Sequence, residues 1–497
     1  MEFELLFTPQ GTDSGMAEYS TADLVKDLRL DIVLDIMSGG NHVIYDACKK
    51  VITRPLTDLH AILSRNAVLK DALGQENAFF ELFEVSYDAV ESVRTYLEFS
   101  SPRYDRVIPN AKKIITETEM AALNINHLRS LNNALSRYAD GFSSDAMRGL
   151  CRTIKTLFDG GSLSHAELRV QQLGALKTES GLSIIGHIGD GLKQTDILLN
   201  GLFEPAGRGK KRFMPDEAAI SLSSMALIRN AEEIVESALA PIYKAIAGFN
   251  RSIQRFFEKL RFQTGFYTGC VNIYRQLDAL NVPLCFPQIK QGSGTYIGMS
   301  LTDAGLALKE RGLPAANDFL FTGKRKILIT GPNQGGKTTF LRSVGLAQVM
   351  AQCGMFIAAR EYICPLFSGV FTHFPCGEDG HLRMGLLETE LCKLSEIAGV
   401  IKPGGLLFMN ESFQTTMPFD AKRLAHETVS AFADAGVTVL FVTHLYAYAM
   451  DEYQRKKEDA LFLRAQRGQN GMNTYEIREG EPFKSAFGME LFHEIIR

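Results

Sequence analysis

One glycine-rich stretch constrains the fold of this chain more than any other feature. Residues 331–339 read Gly-Pro-Asn-Gln-Gly-Gly-Lys-Thr-Thr, which fits the phosphate-loop pattern of Gly, four residues and then Gly-Lys-Thr. The preceding run, Lys326 to Thr330, is mostly apolar and β-branched, which predicts a buried strand. Apolar residues at helical spacing then continue from Thr338 to about Cys353. A strand, a glycine-rich loop and a helix N-terminus in this order form an anion-binding site.

We therefore predict nucleotide binding, with ATP and Mg²⁺ as the ligands. Lys337 would reach the terminal phosphates, and the hydroxyl of Thr338 would hold the metal. The residues predicted to bind the nucleotide are Gly331, Asn333, Gly335, Gly336, Lys337, Thr338 and Thr339.

Length, charge and cysteine usage narrow the protein class. A chain of 497 residues predicts two to four domains, and its net charge of -4 does not suggest a general nucleic-acid binder. The 8 cysteines include no Cys-x-x-Cys pair, which disfavours a zinc or disulfide framework. The chain shows neither a secretory signal nor an apolar run of the roughly 18 residues that a membrane span needs. We expect a cytoplasmic protein with no membrane association.

The texture of the sequence changes twice. After an N-terminal segment (1–24), residues 25–283 are predominantly helical, with a glycine-punctuated, hairpin-like insertion at 181–215. Pro55 is predicted in the first turn of a helix, and a later helix is predicted to begin near Asp216. Residues 284–497 alternate short apolar runs with helical ones, which predicts a parallel sheet flanked by helices. The predicted fold class is an all-helical region followed by an α/β domain.

Polar residues follow two further predicted strands of the α/β region. The run 405–409 ends in Asn410 and Glu411, and the run 437–443 delivers His444. Phosphate-loop ATPases place an acidic pair at such a strand end, to hold the Mg²⁺ shell and to orient the attacking water. Glu411 suits the second task, whereas Asn410 brings no charge to the metal, which leaves the hydrolysis rate open. His444 would contact the terminal phosphate or the water and report the bound nucleotide.

These residues resemble the MutS family of DNA mismatch-repair ATPases. The phosphate loop 331–339, the segment 410–416 (Asn-Glu-Ser-Phe-Gln-Thr-Thr), Thr443-His444 and the segment 485–488 (Ser-Ala-Phe-Gly) look like that family's motifs, and Asn317 resembles an Asn that precedes its first ATPase strand. Residues 55–73 look like the start of the MutS lever region. The resemblance covers about 25–497 and implies an ABC-like ATPase domain, a helical core and lever region, and a homodimer that closes around DNA.

The chain also departs from that family's pattern. The lever-like region begins by residue 25, so we expect no counterpart of the family's mismatch-reading and connector domains, and no base-specific mismatch readout. The family's serine-containing segment reads Gly377 to Gly385 without serine, where Arg383 would substitute as a finger on the partner subunit's nucleotide. The aromatic residue that the family places against adenine, just before the Asn317 position, is not evident.

The insertion at 181–215 lies in the sequence position of the family's DNA clamp. A basic cluster near its end would contact phosphates, although a solvated basic loop is the simpler interpretation. The members of this cluster are Arg208, Lys210, Lys211 and Arg212.

The leading hypothesis is a MutS-like, nucleotide-switched ATPase, a dimeric clamp that acts in repair or recombination on mismatched or branched DNA through its shape and backbone. One alternative is a nucleotide-dependent clamp with weak hydrolysis, because of Asn410 and the altered 377–385 segment. Another keeps the ATPase but changes the partner to structured RNA, the ribosome or another protein.

Overall fold

The structure is a computed structural model, and it describes residues 3–6, 21–99, 109–174, 181–188, 194–203, 225–292, 294–375, 385–455, 458–468 and 473–483. The chain divides into two compact units, one comprising residues 1–3 and 77–264 and the other comprising 4–76 and 265–497. The domain bounds predicted from the sequence, 1–24, 25–283 and 284–497, stay predictions.

Helices dominate the structure outside the sheets. Their bounds are α1 Thr21–Asp27, α2 Leu30–Ser38, α3 His42–Ile52, α4 Leu59–Gly74, α5 Glu76–Phe99, α6 Pro109–Tyr138, α7 Asp145–Asp159, α8 Ser162–Gly174, α9 Met225–Ala279, α10 Ala304–Glu310, α11 Lys337–Gln352, α12 Leu386–Val400, α13 Pro418–Asp434 and α14 Tyr446–Gln454. A 3₁₀ turn, Ala139–Gly141, separates α6 from α7.

The unit of residues 77–264 combines an apolar helical core with a buried polar cluster. Asn124 on α6 donates from Nδ2 to Oδ1 of Asn250 on α9 at 3.0 Å, and Asn250 Nδ2 donates to the Glu117 carbonyl oxygen at 2.7 Å. Asn124 and Asn250 are buried, so these bonds satisfy groups that would otherwise destabilise the fold. The cluster therefore fixes the register of α6 against α9.

The insertion between the helices contains a two-stranded antiparallel hairpin. Strand β1, Gly181–Ile188, pairs with β2, Gln194–Phe203. This pairing confirms a hairpin in the predicted insertion (181–215) for residues 181–188 and 194–203. Residues 204–224, which hold the predicted helix start near Asp216, lie outside the described residues.

The first helices of the other unit are short, and one of them corrects a local expectation. Helices α1 and α2 are separate because Arg29 adopts a left-handed conformation (φ 53°) between them. Pro55 does not lie in a first helical turn, since α4 begins only at Leu59. Asp58 caps that helix by accepting from the Ala61 amide at 2.6 Å. The helix therefore begins after the capping residue Asp58, which lies three residues after Pro55.

Two sheets build the C-terminal part of this unit. Their remaining strands are β3 Gln288–Lys290, β4 Thr295–Leu301, β5 Asn317–Thr322, β6 Lys326–Thr330, β7 Glu361–Pro365, β8 Val370–His373, β9 Leu406–Asn410, β10 Thr438–Val442, β11 Ala460–Arg467 and β12 Asn473–Glu479. The larger sheet has the order β12-β11-β6-β10-β9-β8 and is parallel apart from β12, and the smaller has the order β3-β7-β4-β5.

The larger sheet confirms the predicted α/β architecture and explains where polar side chains gather. Strands β6, β9 and β10 are buried along most of their length, as expected for parallel strands covered on both faces. Val442 is in register with Ile329 on one side and with Asn410 on the other. The loops that leave these three strands therefore begin side by side at one edge of the sheet.

Over the parts of the chain that the structure covers, the helices fall short of the length and apolar character that a bilayer crossing requires.

Candidate functional site

The loop after β6 contains two glycines in conformations that only glycine adopts readily. Gly331 has φ 136° and Gly336 has φ 88°, values that residues with a Cβ rarely adopt. A Cβ on Gly331 would also lie 2.9 Å from the Cβ of Ala465 on β11. Gly336 then caps α11, which begins at Lys337, so the helix N-terminus faces the loop.

The lysine of the loop is folded back onto the backbone around it. Lys337 is only 4% exposed, and its Nζ donates to the carbonyl oxygens of Gly331 at 3.0 Å and Pro332 at 2.8 Å. Burial lowers the pKa of Lys337, while the nearby Glu411 carboxylate opposes that effect. The ammonium group is thus held inside the loop, where a phosphate would meet it.

The other predicted nucleotide contacts surround this lysine. Gly335 is buried and donates from its amide to the Pro332 carbonyl at 3.2 Å, while Asn333 is exposed on the loop and Thr339 lies half-buried in the first turn of α11.

The two predicted metal-binding residues lie in direct contact. Thr338 Oγ1 donates to Asn410 Oδ1 at 3.0 Å, and this bond joins the start of α11 to the end of β9. Hydroxyl and amide oxygens are hard donors of the kind that Mg²⁺ accepts beside nucleotide phosphates. The donor set therefore fits magnesium, although it lacks a carboxylate.

Glu411 and His444 form a second pair beside the first. His444 Nε2 donates to Glu411 Oε1 at 2.9 Å, and both side chains are partly buried. The pKa of Glu411 is lowered by the hydrogen bond from His444 and by the nearby positive charge of Lys337, against an opposing effect of burial. Glu411 is therefore held ionised, as a group that orients or deprotonates water must be.

The backbone after Glu411 depends on two residues that sequence reasoning missed. The Phe413 amide donates to Glu390 Oε2 on α12 at 3.1 Å, and Ser412 Oγ lies 2.7 Å from Nδ1 of His373 at the end of β8. Neither residue belongs to a recognisable motif. The alternation of parallel strands could have indicated His373, because it stands at a strand end beside Glu411.

A third missed residue stands over the phosphate loop. Tyr475 on β12 has φ 60° and is 51% exposed, and a Cβ on Gly336 would lie 3.4 Å from its Cβ. Asn317 secures this strand, since its Oδ1 accepts from the Ile477 amide at 2.7 Å and its Nδ2 donates to the Tyr475 carbonyl at 3.3 Å. The site thus has an aromatic ring beside the loop, although the residues immediately before Asn317 in the sequence include no aromatic one.

The structure brings together Lys337, Thr338, Asn410, Glu411 and His444. Arg383 and the basic cluster Arg208, Lys210, Lys211 and Arg212 lie outside the described residues.

Two family models match successive parts of the chain. Residues 57–280 match the family model described as MutS2 N-terminal domain, and residues 327–495 match the one described as MutS domain V. The second match contains every residue of the site described above except Asn317.

Curated relatives match the chain over about a third of its length. DNA mismatch repair protein MutS of Thermotoga sp. (strain RQ2) is 30% identical over 177 residues, which cover 35% of this chain and 22% of that protein. The proteins of the same name from Shouchella clausii (strain KSM-K16) and Thermus aquaticus are 32% and 29% identical over 139 and 168 residues, covering 28% and 33% of this chain and 16% and 20% of those proteins. The chain thus spans about a fifth of the length of these relatives. With two successive MutS models matched and these relatives in agreement, the chain belongs to the MutS family.

Proposed function

We propose that the chain is a Mg²⁺-dependent ATPase whose nucleotide state controls its binding to DNA. The observation that carries this proposal is the convergence of Lys337, the Thr338–Asn410 contact and the Glu411–His444 pair at one edge of the sheet. Together they provide a phosphate cradle, oxygen donors for a metal and a carboxylate that can activate water.

In this mechanism Lys337 exchanges its two backbone carbonyl partners for phosphate oxygens of ATP. The exchange is favourable because a charge-assisted bond to an anion is stronger than a bond to a carbonyl. Thr338 and Asn410 would hold Mg²⁺ through their oxygens, and the metal would supply positive charge to offset that of the phosphates.

Glu411 accepts the proton of the attacking water or orients that water. His444 holds the carboxylate in place through the bond to Oε1 at 2.9 Å. A terminal phosphate near His444 would compete with Glu411 for the same Nε2–H group. His444 therefore acts as the residue that reports whether ATP or ADP is bound.

Tyr475 supplies the stacking surface for the nucleobase. Its exposed ring lies beside Gly336, so we propose that the base of a nucleotide held by the loop packs against this ring. Replacing Tyr475 with Ala should weaken ATP binding about 10-fold, whereas Phe should retain it, because stacking requires only the ring.

The DNA contact is proposed for the insertion and its basic cluster, Arg208, Lys210, Lys211 and Arg212. Relatives that match this chain carry the name DNA mismatch repair protein, and phosphate contacts by basic side chains give affinity without base specificity. The clamp would be a homodimer, in which Arg383 reaches the nucleotide of the other subunit.

The test is ATP hydrolysis by the purified protein with Mg²⁺, alone and with linear, mismatched or four-way-branched DNA, beside Lys337→Ala and Glu411→Ala. We expect stimulation by mismatched or branched DNA that both variants lose. Hydrolysis that no DNA alters would contradict the DNA-coupled function, and stimulation by structured RNA instead would move the proposal to an RNA partner.

The identity of residue 410 favours a second candidate, a nucleotide-switched clamp with slow turnover. Asn410 provides the metal with a neutral oxygen where a carboxylate would provide a charge. In that case DNA affinity would differ between ATP and ADP while turnover stayed slow with every nucleic acid.

A further inference from the structure

The loop that carries Glu411 adopts a conformation that its own sequence does not favour. Glu411 has φ 53° and Phe413 has φ 68°, both in the left-handed region that glycine normally occupies. Such residues persist only where surrounding structure holds them in place. The Glu411 amide donates to the Val442 carbonyl at 2.7 Å, which fixes the first residue of the loop to β10 but not the two that follow.

Glu390 holds the third residue of the loop. Its side chain on α12 is 4% exposed, and the carboxylate accepts the amide hydrogen of the fully buried Phe413. Burial raises the pKa of Glu390, while the Phe413 amide opposes that effect. Burying a leucine here would cost less desolvation free energy than burying a carboxylate. The hydrogen bond that the carboxylate accepts from the Phe413 amide therefore explains why a glutamate stands at this position.

His373 connects the same helix to the second residue of the loop. Its Nε2 lies 3.3 Å from the Glu390 carbonyl oxygen, which can only accept, so Nε2 carries the hydrogen. Nδ1 is then the acceptor, and Ser412 Oγ donates to it at 2.7 Å. Burial lowers the pKa of His373 to about 4, which keeps the ring neutral at pH 7 and in this tautomer.

Both supports of the loop therefore lead to one place, Glu390 on α12. This helix begins at Leu386, and Gly385 alone separates it along the sequence from residues 376–384, which include Arg383. A shift of α12 would move the Glu390 side chain and its carbonyl oxygen together, and with them the backbone of Ser412 and Phe413.

We infer that Glu390 is a positioning residue for hydrolysis: it sets the conformation of the Glu411 loop and transmits to it the position of α12. Glu390 would act through the Phe413 amide and the backbone of the loop rather than on the nucleotide. The inference rests on the proposed ATPase function, and it names a point of regulation that the phosphate loop and the Glu411–His444 pair do not provide.

The test compares Glu390→Ala with Glu390→Gln, which keeps an oxygen acceptor for the Phe413 amide. The matched control is Glu388→Ala, because Glu388 lies in the first turn of the same helix and is exposed. Three quantities are measured for each: kcat for ATP, the Kd for ATP, and amide hydrogen exchange in peptides spanning 411–416.

For Glu390→Ala we expect kcat to fall about 10- to 100-fold and exchange in these peptides to accelerate by a similar factor, as for loss of a charged, buried hydrogen bond. The Kd for ATP should stay at the wild-type value, since Lys337 and the phosphate loop are untouched. Glu390→Gln should recover most of the turnover, and Glu388→Ala should match the wild type.

Wild-type kcat and wild-type exchange in Glu390→Ala would overturn the inference, as would equal losses of kcat and ATP affinity. If Glu390→Ala does not fold, Ser412→Ala decides the matter, because it removes only the bond to His373 and should accelerate exchange and lower kcat. A wild-type protein without Mg²⁺-dependent hydrolysis would defeat the proposed function, and the exchange measurement would still test the support of the loop.

Discussion

The loops that follow β6 and β9 both contain residues with positive φ, but different interactions stabilise them. The phosphate loop reaches left-handed conformations mainly through glycine, at Gly331 and Gly336, and its lysine is held by carbonyl groups of the same loop. The Glu411 loop reaches them with Glu411 and Phe413, and depends on Glu390, which lies on another element. The first loop is encoded locally, whereas the second is encoded by the tertiary structure.

This difference predicts which property, nucleotide binding or turnover, is lost when each loop is altered. Changes within the phosphate loop should remove nucleotide binding together with turnover. Changes to the distant supports of the Glu411 loop should lower turnover and local stability while nucleotide binding persists. The experiments below, in order of expected effect, would break or sharpen this contrast.

The largest effect is expected for Lys337→Ala. Removing the buried ammonium group takes away the charge that the phosphates would meet, so kcat/KM for ATP should fall about 10²- to 10³-fold, with weaker ATP binding. Steady-state kinetics and calorimetric titration with ATP measure both effects. Lys309→Ala, at an exposed lysine in the last turn of α10, is the control and should behave as the wild type.

His373 should make stability depend on pH. Its pKa is lowered from 6.5 to about 4 in the folded protein, a difference worth about 3 kcal/mol. The unfolded chain takes up a proton on this residue below pH 6.5 and the folded chain does not until about pH 4, so stability is lost as the pH falls through that window.

Denaturant unfolding of the wild type and of His373→Asn at pH 7.5 and pH 5 isolates this contribution. The wild type should lose about 2 kcal/mol more than the variant between the two pH values. Parallel losses in the two proteins would show that His373 is not the titrating group.

Gly331→Ala tests the local encoding of the phosphate loop. An alanine there would have to adopt φ 136°, and its Cβ would lie 2.9 Å from the Ala465 Cβ. We expect a loss of about 2 kcal/mol in the free energy of unfolding and weaker ATP binding. Gly149→Ala, within α7 and with open space around it, should instead stabilise the protein slightly.

Asn410→Asp should have the smallest effect, and a favourable one. The carboxylate keeps an acceptor for Thr338 and adds a charge for the metal, so the Mg²⁺ concentration for half-maximal hydrolysis should fall about 10-fold. An unchanged Mg²⁺ dependence would mean that residue 410 does not face the metal.

The same contrast explains what the sequence could predict. The strand 326–330, the loop and the helix from Lys337 lie in one continuous segment, and each has a local signature, so fold and motif could be predicted together. Asn410, Glu411 and His444 could be predicted because parallel strand ends meet at one edge of a sheet.

His373 could have been found by the same reasoning, because it ends a parallel strand beside β9, but its contact with Ser412 could not, and neither could the roles of Glu390 and Tyr475. Their roles depend on which elements lie against β9 and the phosphate loop, and no spacing in the sequence encodes those contacts. Pro55 shows the same limit on a smaller scale, because the Asp58 side chain, rather than the proline, determines where the helix begins.

We propose that the two loops act on one ATP molecule, with the phosphate loop binding it and the Glu411 loop promoting its hydrolysis. The most direct measurement is ATP affinity and single-turnover hydrolysis for Glu411→Gln beside the wild type. We predict unchanged affinity and hydrolysis slowed about 10²-fold or more, because the amide can accept the bond from His444 but cannot take a proton. Hydrolysis at the wild-type rate, or a loss of affinity equal to the loss of rate, would contradict the claim.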